Sequence, residues 1–266
     1  MTKSLGADEQ PTRTATLIAI SDFASSDSVT DSVESEFPYE RLTAFMPNVN
    51  RLSVELEVFG YTVERPSTDA LQANILGNSL TTAIGGSSSE IRIVHILSHG
   101  ERSSPSGRLL IIGSDGNPSP TSINDIVSQA ADNDDGPLVL FILDLCHAGV
   151  ATELFWQLHG ISESTKAWVI SATSASDSAF DARLTRAVSL TLSAARDGTL
   201  GLDPSERHIP WLMFRNHIIT NVEEGASTGL PQRVRSTPWT GLSTCRSSKT
   251  RDIRPTPRHA ANSEQT

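Results

Sequence analysis

Ile91-Arg92-Ile93-Val94-His95-Ile96-Leu97, followed at once by Ser98-His99-Gly100, is the stretch whose reading decides the fold. A nearly continuous β-branched and aliphatic run of this length is what a strand covered on both faces looks like. Similar runs lie at residues 15–20, 61–64, 138–143 and 167–170. The segments between them carry helical period and helix punctuation. Pro47 can sit in a first turn, Val49, Leu52, Leu56 and Phe59 follow helical spacing, and Gly60 supplies a stop. Further helices are predicted over 68–84, 122–131, 184–195 and 209–222, the second of these with Ser122 and Asp125 at capping-box spacing. Residues 109–112, bracketed by Gly107 and Ser114-Asp115-Gly116-Asn117, read as part of a small hairpin. Strands alternating with helices predict an α/β protein, a three-layer α/β/α sandwich around a mostly parallel central sheet.

Composition narrows the class. The chain has 266 residues, and its 37% hydrophobic content argues against a wholly disordered or membrane protein. Two cysteines, Cys146 and Cys245, cannot make a disulfide framework, so a reduced compartment is expected. No apolar stretch approaches the roughly 20 residues of a membrane span, and residues 1–10 lack the apolar core of a signal peptide. A soluble, cytoplasmic protein with no membrane partner is the expectation. The net charge of -10 excludes nucleic acid as a partner of the body. From Leu230 onward there are seven of the 21 basic residues but only two of the 31 acidic ones, so the body is near -15 and the tail near +5. Disordered ends are predicted over 1–13 and 240–266, with one domain over 14–239.

In an open parallel sheet, sites form beyond the carboxyl ends of the strands. Ser21-Asp22-Phe23 follows the first strand, Ser98-His99-Gly100-Glu101 the third, Asp144-Leu145-Cys146-His147-Ala148-Gly149 the fourth, and Ser171-Ala172-Thr173-Ser174 the fifth. A histidine and a cysteine therefore emerge at one sheet edge from successive core strands, as a thiol nucleophile and its acid/base partner require. His99 precedes Cys146 by 47 residues, close to the spacing of about 50 in caspases.

The blocks ending in Ser98-His99-Gly100 and in Asp144-Leu145-Cys146-His147-Ala148-Gly149 resemble the two signature blocks of caspase-like cysteine peptidases, nearer to metacaspases and their bacterial relatives than to animal caspases. Residues 17–23, Leu184-Thr185-Arg186-Ala187 and Gly229-Leu230-Pro231-Gln232 are also similar to that family. The resemblance implies a caspase-hemoglobinase-like fold and peptide-bond hydrolysis by a Cys/His dyad. Cys146 would attack as thiolate, His99 would position the reacting groups and protonate the leaving amine, and the N–H groups of Gly100 and Cys146 would receive the oxyanion. Asp144 matches the family position that helps line a pocket for Arg or Lys, so cleavage after Arg or Lys is implied. The family's second pocket acid has no counterpart in Pro47-Asn48-Val49-Asn50-Arg51, and Asp22 is the candidate in its place. Protein or peptide substrates are the expected partners. No cofactor is expected, and calcium activation, known for some metacaspases, is not indicated by the sequence.

Blander readings stand beside these. His95 reads as a packed core histidine, and His147 as an early helix residue that could also tune the thiol. Asp144 could merely cap a helix or bond a loop. His95, His99, Cys146 and His147 match no common zinc spacing, and Asp132-Asn133-Asp134-Asp135 reads as a solvated turn, not a calcium loop. Cys245 reads as incidental. Arg233 and Arg235 read as self-cleavage sites or as a solvated linker. The alternative function is a catalytically silent caspase-fold module in a signalling or defence assembly. Oligomeric state is left open.

Overall fold

The side of the sheet on which each crossover helix packs follows from one chiral rule. In the computed structural model, which describes residues 11–23, 39, 41–88, 90–153, 165–174, 179, 181–202, 209–225 and 232–237, a six-stranded sheet occupies the centre. Its strands are β1 (Arg13–Ala19), β2 (Thr62–Glu64), β3 (Ile91–Leu97), β7 (Leu138–Asp144), β8 (Ala167–Ser171) and β9 (Arg235–Ser236), in the order β2-β1-β3-β7-β8-β9. The first five run parallel, and β9 closes the edge antiparallel to β8. Between β3 and β7 the chain builds a separate antiparallel sheet of β4 (Gly100–Arg102), β5 (Leu109–Ile112) and β6 (Pro118–Ser122).

Crossovers between parallel strands are right-handed, so the direction of travel across the sheet decides the face on which a helix lands. Helix α1 (Met46–Val58) carries the chain from β1 outward to β2. The return to β3 reverses direction, and α2 (Ala73–Ile84) and α3 (Ile123–Ala131) accordingly pack on the opposite face. Helices α4 (Arg183–Arg196) and α5 (Trp211–Gly225) join α1 on the first face. Two apolar clusters result, one under α2 and α3 and one under α1, α4 and α5. That is the three-layer α/β/α sandwich expected, with both faces of β3 and β7 covered.

Local signals explain most boundaries. Pro47 lies in the first turn of α1, and Gly60 ends the segment at φ +80°, a conformation open to glycine. Ser122 caps α3, its Oγ accepting from Asp125 N at 3.2 Å. The helix expected over 68–84 is interrupted: Thr68–Leu71 is a single 3-10 turn, Gln72 is extended, and α2 begins only at Ala73. The break has a tertiary cause, because Asp115, in the turn between β5 and β6, accepts from Ala73 N at 3.0 Å. The expected hairpin at 109–112 is the middle strand of a three-stranded sheet.

Three boundary expectations need correction. The disordered start expected over 1–13 overruns, since β1 begins at Arg13 and Ile91 N donates to Thr12 O at 2.9 Å. Arg235 lies in β9, held by pairing to β8 and by Arg215 Nε donating to Ser236 Oγ at 2.6 Å, so the solvated-linker reading of Arg233 and Arg235 does not describe this segment. His147 is not in a helix: it sits in a turn at φ 59°. The tail 240–266 with Cys245, and Gly229 to Pro231, lie outside the described residues. Among the described residues no helix is long and apolar enough to cross a membrane.

Candidate active site

The sheet itself brings the proposed dyad together. Strands β3 and β7 pair in parallel from Ile91↔Leu138 to Leu97↔Asp144, so His99 and Cys146 each lie two residues past the last register pair. Neighbouring strands run roughly 4.8 Å apart, which delivers both residues to one spot at the carboxyl edge. The path of the chain reverses between β1 and β3, the kind of switch point where α/β sheets open a crevice. Alternation adds the face. Ile93 and Leu97 of β3 and Ile142 of β7 point into the cluster under α4, which puts His95 and Asp144 on that side too.

Gly100 shows how close the two strand ends come. A Cβ at this position would collide with the carbonyl oxygen of Cys146 and lie 3.0 Å from Leu145 Cδ1. Any side chain would push the cysteine loop away, which is the physical reason for glycine here. On either side of β4, Ile112 N donates to His99 O at 3.0 Å and Ser103 N to Arg108 O at 2.9 Å. Hydrogen-bonded and non-bonded pairs alternate in antiparallel ladders. Gly100, opposite Ile111, therefore falls in a non-bonded pair, and its N–H points away from β5. That orientation suits an oxyanion donor.

The cysteine loop is clamped from the segment just past β8. Thr173, fully buried, has its Oγ1 accepting from Ala148 N at 3.1 Å and donating to Leu145 O at 3.4 Å. Between those two anchors, Cys146 is half-buried, a free thiol whose Sγ accepts from Ala179 N at 3.4 Å. His147 follows in the left-handed region, a conformation that costs a non-glycine residue of order 1 kcal/mol and turns the loop sharply beyond the sulfur.

His99 packs in a cluster of three mutually tilted rings, Phe23 and Tyr39 being themselves 6.1 Å apart. Its ring centroid lies 4.9 Å from Phe23 and 5.2 Å from Tyr39. The Tyr39 hydroxyl donates to Glu101 Oε2 at 3.0 Å, and burial together with this carboxylate pushes its pKa up to about 12. Phe23 was visible in sequence only as part of the segment after the first strand. Glu101 likewise appears in sequence only within the segment after the third strand, and Tyr39 carries no signal, because its role depends on a contact across 62 residues.

Asp144 is 2% exposed, and its Oδ2 accepts from Thr185 N at 2.8 Å and from Thr185 Oγ1 at 2.7 Å. Burial pushes its pKa up to about 6 against these two bonds, which act to lower it. Thr185 Oγ1 also lies 2.8 Å from His95 Nε2. His95 is fully buried, and desolvation, aided by the positive charge of Arg65, pushes its pKa down to about 3. The core reading of His95 agrees with this placement. The capping reading of Asp144 also applies, but to α4 across the sheet and not to the segment that follows it. Asp22 remains exposed at the end of β1, paired with Arg41 Nε at 3.7 Å. Among the described residues no cluster of three or more His, Cys, Asp or Glu could hold a metal ion.

No family model matches the chain, and no curated protein matches it. Among solved structures, the chain is similar to the crystal structure of protein GSU0716 from Geobacter sulfurreducens, at 13% identity and a TM-score of 0.47, over 87% of this chain and 96% of that one.

Proposed function

We propose that the chain is a caspase-like cysteine endopeptidase that hydrolyses peptide bonds after Arg or Lys, with Cys146 and His99 as its dyad. The observation that carries this reading is the register of β3 and β7, which delivers the two residues to adjacent positions with the Gly100 backbone against the Cys146 carbonyl. The Cys146 sulfur attacks the scissile carbonyl, and the N–H groups of Gly100 and Cys146 take up the oxyanion. His99 gives a proton to the leaving amine, leaving a thioester on Cys146. Water then attacks the thioester as His99 accepts its proton, and the thiolate departs. Contact with the tilted rings of Phe23 and Tyr39 supports the imidazole in one orientation, which favours proton transfer along a fixed line. Asp144 is the acid that favours a cationic residue before the cleaved bond, with Asp22 a second negative charge at the same edge. A free thiol as nucleophile fits a reducing compartment such as the cytoplasm.

The test compares the wild type with Cys146→Ala and His99→Ala on fluorogenic peptides bearing Arg, Lys or Asp before the cleaved bond. The expected result is hydrolysis of Arg and Lys peptides that falls at least about 10³-fold in Cys146→Ala. Undiminished turnover in that variant overturns the nucleophile assignment, and preferred cleavage after Asp overturns the pocket. Inactivity of the wild type across calcium and reductant titrations favours the silent interaction module instead.

A further inference from the structure

A carboxylate that accepts two hydrogen bonds on one oxygen cannot rotate freely, so the direction of its other oxygen is fixed too. Both bonds to Asp144 fall on Oδ2 and both come from Thr185, the third residue of α4. The backbone N–H alone would satisfy the cap. The hydroxyl is a second hold, and it has its own support. Having given its one proton to Asp144, Thr185 Oγ1 accepts from His95 Nε2, 2.8 Å away. A chain of polar side chains thus runs from β3 through α4 to β7. It leaves Asp144 Oδ1 buried with no hydrogen-bond partner among the described residues. An unpaired carboxylate oxygen inside a protein carries a desolvation cost, and such exceptions call for an explanation. This one lies two residues before Cys146.

We infer that Thr185 is a positioning residue for substrate recognition: it occupies Oδ2 of Asp144 and so aims Oδ1, as a single acceptor, at the cationic side chain of the substrate. The inference rests on the peptidase reading above. It also says something about selectivity that the acid alone does not. With Oδ2 taken, the two-pronged match of a guanidinium to a carboxylate is unavailable at Asp144, and Arg loses its geometric advantage over Lys. Arg and Lys peptides should then differ by no more than about 10-fold in kcat/KM.

The experiment measures kcat and KM of the full chain for Arg, Lys and Gln peptides in wild type, Thr185→Val and Thr185→Ser. The valine variant keeps the shape and the backbone N–H and removes the hydroxyl. Its KM for Arg and Lys peptides should rise about 10-fold, with kcat within about 2-fold and the Gln peptide unaffected, and Thr185→Ser should restore the wild-type values. Should the valine protein fail to fold, Thr185→Ala removes the same hydroxyl without added bulk and carries the same expectation. A lowered melting temperature with unchanged KM for all three peptides makes Thr185 a helix cap only and overturns the inference while leaving the peptidase reading intact. An Arg preference above about 100-fold in the wild type overturns it as well. A wild type that cleaves none of the peptides overturns the peptidase reading, and this inference with it.

Discussion

Two histidines four residues apart on one strand have opposite environments. His95 lies inside β3, fully buried, and is held neutral by burial with a single hydrogen bond to Thr185. His99 lies just past the strand end, half-buried against two aromatic rings. What separates them is the length of β3 against its neighbours: the ladder to β7 ends at Leu97↔Asp144, and everything beyond it is at the edge. The same residue type is a packing element on one side of that line and a candidate proton carrier on the other.

The largest expected effect comes from breaking the outer member. His99→Ala should lower kcat/KM for Arg peptides about 10²- to 10⁴-fold while leaving the thermal midpoint within a few degrees, because its ring lies half-buried at the sheet edge against Phe23 and Tyr39 and not inside the strand. Peptide assay and calorimetry on the same preparation check both halves. His95→Ala should reverse the pattern. It removes a fully buried ring and leaves the Thr185 hydroxyl without its donor, at an expected cost of about 2–4 kcal/mol in stability. Its kcat should stay within a few fold at a temperature where the variant is folded. Denaturant titration gives the first number, and equal stability losses in the two variants would erase the contrast.

The contrast also marks how far sequence can be read. The apolar runs, their order and the strand-end residues were legible, because a strand buried on both faces leaves a continuous signature and because sites follow strand ends. The dyad candidates and the core placement of His95 came from position along the run. What was not legible was tertiary. Thr185 looks like an ordinary residue in the first turn of a helix, yet it joins His95 and Asp144 across 90 and 41 residues. The interruption at Gln72 comes from Asp115 in a distant turn. The short β9 carries no apolar run of its own and exists through its pairing to β8. His147 carries a left-handed turn, a region in which histidine is enriched among non-glycine residues but which nothing else in the run marks at this position.

The smallest expected effect is a slope, and it sharpens the comparison inside the buried chain. A histidine whose folded pKa is lowered to about 3 contributes stability that is present above its ordinary 6.5 and is lost as pH falls toward 3. A carboxylate whose folded pKa is raised from 3.8 to about 6 behaves oppositely: it penalises folding above pH 6, and the penalty is relieved as pH falls toward 4. Between pH 4 and 6 the His95 and Asp144 contributions therefore oppose one another and largely cancel in the wild type. Asp144→Asn keeps an oxygen for Thr185 but cannot titrate. In that variant the acid loss due to His95 stands uncovered, so stability relative to wild type should improve as pH rises across this window, by about 1 kcal/mol per pH unit. Urea titrations at pH 4, 5 and 6 measure it. A flat difference across the window would mean that Asp144 is ionised in the folded protein throughout, and that the oxygen aimed at substrate already carries its charge at pH 4.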